Sequence, residues 1–153
     1  MYEESFKNID DVFWKDAGCS SELDYIEQTS WILFLKYLDD YEEEKETAAI
    51  LNGETYERII DKEFRWKEWA YPKTVDGKLN YDIALTGDDL LEFVNKELFP
   101  HLAGFKQSAE NPRIIDYKIG EIFSELRNKL QSGYSLRDVI NKVNDLKFLS
   151  NKE

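Results

Sequence analysis

The residues with which this chain could hold a phosphate backbone lie late in it: Lys106, Arg113, Lys118, Arg127, Lys129, Arg137, Lys142 and Lys147. Neutralising phosphates with Lys and Arg supplies most sequence-independent nucleic-acid affinity, and the front of the chain is unsuited to it. Residues 1–100 carry 11 basic and 25 acidic side chains, a balance of −14, whereas residues 101–153 stand at +2, within a total of −12. A second candidate is Phe64-Arg-Trp-Lys-Glu-Trp-Ala-Tyr-Pro72, where Trp66, Trp69 and Tyr71 alternate with basic residues as on a surface that stacks bases or meets a partner. Asp61, Glu63 and Glu68 oppose that reading. The alternative is an aromatic cluster that pins a loop onto the body of the protein.

Other chemistries have little to stand on. One histidine, His101, and one cysteine, Cys19, leave metal and nucleophile sites without partners, and a disulfide framework is excluded. His101 is expected in a loop near a helix end, and Cys19 as a small turn residue without the positive surroundings that activate a thiol. The glycines stand singly at 18, 53, 77, 87, 104, 120 and 133, so no Gly-x-Gly loop offers a cofactor cradle. Asp39-Asp40 and Asp88-Asp89 fall at helix ends, where capping and solvation account for them. The acidic run Glu42-Glu43-Glu44 reads as solvated helix surface, with a patch that guides a partner as the alternative.

These residues must be positioned by helices. Leu23, Ile26, Ser30, Leu33, Phe34, Tyr37, Leu38 and Tyr41 recur at steps of three and four behind a Ser21/Asp24 cap, and from Trp31 to Leu38 only Lys36 is charged. The pattern predicts a central helix with neighbours on more than one side. Tyr2, Phe6, Ile9, Phe13 and Ala17 predict a first helix stopped at Gly18 and antiparallel to the second, with Trp14 widening its buried face. Asn52-Gly53 ends helix two, Thr55 to Lys62 suggests a short helix carrying Tyr56, Ile59 and Ile60 inward, and Asp76-Gly77 a short hairpin or irregular excursion. Thr86 caps a helix through Leu90, Leu91, Val94 and Leu98 that Pro100 ends, and Asn111-Pro112 opens a turn. Ile115, Ile119, Ile122, Phe123, Leu126 and Leu130 predict a long helix, packed on helix two and ended by Gly133. Ser135 and Asp138 cap a last helix bearing Leu136, Val139, Ile140, Val143 and Leu146. The expected fold is mainly α, a bundle of about five helices with an irregular aromatic-rich loop or short hairpin between them.

At 153 residues this is one domain by length. No targeting or lipidation pattern is read, and the apolar run of helix two falls short of the roughly 20 residues of a membrane span, so the expected address is the cytoplasm.

Phe13-Trp-Lys-Asp-Ala-Gly-Cys-Ser-Ser-Glu-Leu-Asp-Tyr-Ile-Glu-Gln-Thr-Ser-Trp-Ile-Leu-Phe-Leu-Lys-Tyr-Leu-Asp39 resembles the N-terminal region of the methylation (M, HsdM) subunit of type I restriction-modification systems. Phe64–Ala70, Ala84–Leu90, Leu98–Pro100, Gly104–Lys106 and Tyr117–Phe123 are similar to later blocks of that family, in the same order. The resemblance implies that residues 1–153 form a helical N-terminal domain, followed in the full-length protein by a methyltransferase domain that uses S-adenosylmethionine to methylate adenine N6 in DNA. It implies no cofactor in this part, and as partners a specificity subunit, a second M subunit, a restriction subunit in the complete system, and DNA. The implied role is to assemble these subunits and close them on DNA. The family's cofactor-binding glycine motif and Asn-Pro-Pro-Phe/Tyr motif are absent here; Asn111-Pro112-Arg113 lacks the second proline and the aromatic. A different reading is a free-standing acidic helical module that binds a protein, as a regulator or a DNA mimic.

Overall fold

Ser21 takes an extended backbone and its hydroxyl accepts the Asp24 N–H at 3.2 Å, which opens the longest helix, α2, Glu22–Leu51. The computed structural model describes residues 2–108 and 114–146. Before α2 lies α1, Tyr2–Lys15. After it come a 3-10 turn at Lys62–Phe64, a short α3 at Trp66–Trp69, and a hairpin-like excursion. In that excursion the Thr74 N–H donates to the Lys78 carbonyl at 2.7 Å around the Asp76-Gly77 turn, and Lys73 bridges Leu79. Then follow α4, Gly87–Phe93; a π-helical turn, Val94–Leu98; α5, Phe99–Ala103; α6, Phe105–Ser108; α7, Ile115–Glu125; and α8, Gly133–Asn144.

The fold is the expected helical bundle, with its core around the middle of α2. Trp31 meets Phe99 edge-on at 4.9 Å between ring centroids, Phe99 meets Phe123 at 5.1 Å, and Phe123 meets Phe34 at 6.3 Å. α1 buries Ile9 and Phe13 and packs mainly on α8, which buries Leu136, Val139, Ile140 and Val143. Trp14 does not widen that face. About 100° round the helix from Phe13, it is 76% exposed.

Helix two carries the largest correction. Its buried side is Asp24, Gln28, Trp31, Ile32, Leu35, Lys36, Leu38, Asp39 and Glu42, whereas Leu23, Ile26 and Tyr37 from the expected stripe are exposed. Three of the buried polar groups, Asp24, Gln28 and Glu42, bond backbone that lies outside helices. Glu42 accepts the N–H groups of Ile59 and Ile60 at 2.6 and 3.3 Å and the Tyr56 hydroxyl at 3.1 Å. Residues 55–61 consequently form no helix, although Ile60 is buried as expected. A carboxylate at 42 supplies the acceptors that a helix would have found within itself.

Three other boundaries differ. The expected helix through Leu130 stops at Glu125, and residues 126–132 run extended or irregular, their backbone held by Gln28 and Asp16. Ile122 is therefore not in the core, although Ile119 and Phe123 are, and α7 packs chiefly on α5 and α6. The last helix begins at Gly133 under Ser132, whose hydroxyl accepts the Ser135 N–H at 3.3 Å, so Ser135 is inside the helix and not its cap. Pro100 does not end its helix either. The π turn immediately before it widens the ring of hydrogen bonds where proline lacks an N–H and crowds the preceding carbonyl, and the helical path continues to Ala103.

Candidate interface residues

The basic candidates separate into three groups. Lys106, Lys118 and Arg127 are exposed. Lys106 and Lys118 belong to α6 and α7, which touch backbone to backbone at Gly120: a Cβ there would stand 2.2 Å from the Lys106 nitrogen. Only glycine permits that approach. The Arg127 guanidinium folds back on the Ser124 and Leu126 carbonyls at 3.3 and 3.2 Å, which leaves donors for another acceptor.

Lys129 and Lys142 are engaged with carboxylates. The Lys129 ammonium lies 2.6 Å from Asp24 and 3.9 Å from Glu27, and Lys142 lies 2.7 Å from Asp138. The hydrogen bond from Lys129, helped by the Ser20 N–H, pulls the Asp24 carboxyl down to about 2, and the same bond raises Lys129. Neither Arg127 nor Lys129 lies on a helix, as the longer periodic pattern had placed them.

Arg137 is the clear correction among these candidates. Only 7% exposed, it donates to the Leu85 carbonyl at 3.0 and 2.7 Å and to the Ala70 carbonyl at 2.6 Å. Its guanidinium ties the excursion between α3 and α4 to α8 and does not reach a phosphate. Burial also favours its neutral form. Arg113, Lys147, Asn111, Pro112 and the side chain of Tyr2 lie outside the described residues.

The aromatic candidates are inside. Trp66 and Trp69 are buried against each other at 5.8 Å, Trp66 donates to Asn144 at 2.8 Å, and Tyr71 is half-buried. They pin the loop and are not an open recognition surface. His101 sits in α5 and not in a loop, stacked on Phe64 at 3.9 Å and edge-on to Phe105 at 5.1 Å. Cys19 is buried, and burial with Asp16 and Asp24 nearby pushes its thiol up to about 11. Among the described residues no group of His, Cys, Asp and Glu is arranged to hold a metal, and no helix is long and apolar enough to cross a membrane.

The functional residues that sequence reasoning missed are inward polar ones on α2 and just after α1. Asp16, Gln28 and Glu42 position the segments that carry Arg127, Lys129 and Arg58. Asp24, Gln28, Asp39 and Glu42, separated by 4, 11 and 3 positions and so on one side of α2, were the available signal.

The described residues form an all-helical domain with a polar-stapled central helix, an acidic front and exposed cations on α6, α7 and the following loop. The family model for the HsdM N-terminal domain matches residues 3–143, and the chain belongs to this family, the helical N-terminal domains of type I restriction-modification methylase subunits. It is similar to the type I restriction enzyme EcoEI methylase subunit of Escherichia coli, 36% identical over 148 residues that cover 96% of this chain and 27% of that subunit. Among solved structures, a modification subunit assigned to a type I restriction enzyme of Vibrio vulnificus YJ016 superposes with a TM-score of 0.83 at 30% identity, over 96% of this chain and 31% of that one. A chain from a structure concerned with complex assembly and conformational transition of the type I system gives 0.69 at 33% identity, over 95% and 26% of the two chains.

Proposed function

We propose that this domain assembles a type I modification methyltransferase and helps close it on DNA, within a full-length subunit that transfers a methyl group from S-adenosylmethionine to adenine N6. The observation that carries this reading is the family match across nearly the whole chain, joined to a span of only 27% of the E. coli methylase subunit. In this reading the methyltransferase domain lies in the remainder, and S-adenosylmethionine binds there. The glycines stand singly along the sequence, with no Gly-x-Gly run among them. The partners are the specificity subunit, which chooses the DNA site, a second modification subunit, the restriction subunit in the complete system, and DNA.

Phosphate contacts, in this reading, come from Lys106, Lys118 and Arg127, the exposed cations of the basic portion that no carboxylate holds among the described residues. Lys129 and Lys142 have lesser parts because carboxylates already hold them. The acidic front repels phosphate and leaves α1 and α2 to protein contacts.

Deletion of this domain from a full-length subunit, co-expressed with its specificity subunit, tests the proposal. S-adenosylmethionine binding should persist while stable assembly and tight DNA binding are lost. Unchanged assembly and unchanged DNA affinity would overturn it.

A further inference from the structure

On α2 several polar residues point inward and part of the apolar stripe points outward. Gln28 and Glu42 are essentially inaccessible, whereas Leu23 and Ile26 are each 62% exposed. The inward groups are explained by the backbone they hold. The outward pair needs another explanation, because water gains nothing from two adjacent branched aliphatics one turn apart.

The ground beside them is shaped. Glu27, one turn beyond Leu23 on the same side of α2, lines a groove of about 580 Å³ with Ile122 and Leu126, and Glu121 and Glu125 stand along it. Ile122 is 44% exposed, and Ile115, two turns earlier on α7, is exposed too. The groove thus has an aliphatic floor, and Leu23 and Ile26, in the turn of α2 that leads to Glu27, lie at its edge. Arg127 and Lys129 line the groove too, but three carboxylates outnumber them, Lys129 is already held by Asp24 and Glu27, and Glu121 and Glu125 are exposed with no ion pair among the described residues, so the lining is acidic on balance.

We propose that this groove and its Leu23–Ile26 edge seat an amphipathic helix from a protein partner, aliphatic on the buried face and flanked by Lys or Arg. The walls select the partner's charge and the floor its periodicity. The inference rests on the assembly reading and names the surface and partner chemistry that it uses.

The 153-residue chain is titrated with two synthetic 20-residue peptides of identical Leu, Ala and Lys composition, one with leucines at helical three- and four-residue steps and one scrambled. The ordered peptide should bind at micromolar concentration and the scrambled one at least about ten-fold more weakly. Leu23→Ser/Ile26→Ser/Ile122→Ser, which alters exposed residues and keeps every charge, should lose about ten-fold or more for the ordered peptide. Glu27→Gln/Glu121→Gln/Glu125→Gln should weaken binding and flatten its salt dependence. Equal binding of the two peptides, or no loss in the serine variant, overturns the proposal. So does sedimentation that shows wild-type dimers abolished by the serine changes, which would give the face to a second copy. Failure here with assembly still lost on domain deletion sinks the groove alone; survival of assembly on deletion sinks the assembly reading.

Discussion

The Gln28 side chain is joined to the backbone of Lys129: its Oε1 accepts the Lys129 N–H at 3.1 Å, while its Nε2 donates to the carbonyl of Arg127 at 3.0 Å. One amide of the central helix therefore does for residues 127–129 what a neighbouring strand does in a sheet. The same Oε1 accepts the Trp31 indole N–H at 2.8 Å.

Replacing Gln28 with Ala removes the partner of three groups, of which the Trp31 N–H is buried and the other two part-buried. Each unsatisfied group costs about 1–3 kcal/mol, so Gln28→Ala should destabilise by about 3 kcal/mol or more in urea melts, far beyond a Leu23→Ser change at the exposed surface, which should stay within about 0.5 kcal/mol. Equal midpoints for the two variants would remove Gln28 from its structural role.

The bundle was legible in the sequence where an apolar period and a core face coincide, as at Ile9 and Phe13 in α1 and Leu136 to Val143 in α8. It was not legible on α2, because Gln28 and Glu42 look like surface residues until the positions of 127–129 and 59–60 are known. Leu126 and Leu130 prolong the period of α7 beyond its end for the same reason: nonlocal acceptors and donors from Gln28 and Asp16 release that backbone from its helix. Of the candidate contacts, Lys106 was read from its charge alone, whereas solvent-facing Lys118 followed from the period of its own helix. Arg137 could not, since its partners Ala70 and Leu85 are distant in the chain.

Acid should expose the Asp24–Lys129 pair. A carboxyl lowered from its ordinary 3.8 to about 2 contributes stability that is present in full above about pH 4 and lost as pH falls toward 2. Asp39, raised mainly by burial, acts in the opposite sense over acid pH, so the signature is the difference between wild type and Asp24→Asn. That difference in thermal midpoint should be constant from pH 7 to about 5 and shrink toward pH 2. A difference independent of pH would deny the ion pair its part.

Lys106→Gln/Lys118→Gln/Arg127→Gln in the assembled full-length enzyme should weaken DNA binding and reduce the salt slope by about two to three counterions. Lys129→Gln, by contrast, should lower stability with little change in the slope, because its ammonium is already 2.6 Å from Asp24. Filter-binding across a salt series distinguishes the two. Equal slopes for wild type and the triple variant would assign these cations to solubility.

Gly120→Ala sets helix propensity against packing. In an open helix the change gains about 1 kcal/mol. Here the new Cβ would lie 2.2 Å from the Lys106 nitrogen and 2.8 Å from its Cα, and because these are backbone atoms no side-chain rotation relieves the contact. α6 must move away from α7, at the cost of about 1–3 kcal/mol usual for an overfilled contact. The variant should therefore be less stable than wild type in urea, with amide protection lost first at residues 105–108. Lys106 would be displaced with α6 while Arg127, beyond the end of α7, keeps its place, so DNA affinity in the assembled enzyme should fall by less than in the triple glutamine variant. A Gly120→Ala protein as stable as wild type, with residues 105–108 still protected, would mean that α6 and α7 do not meet at this glycine.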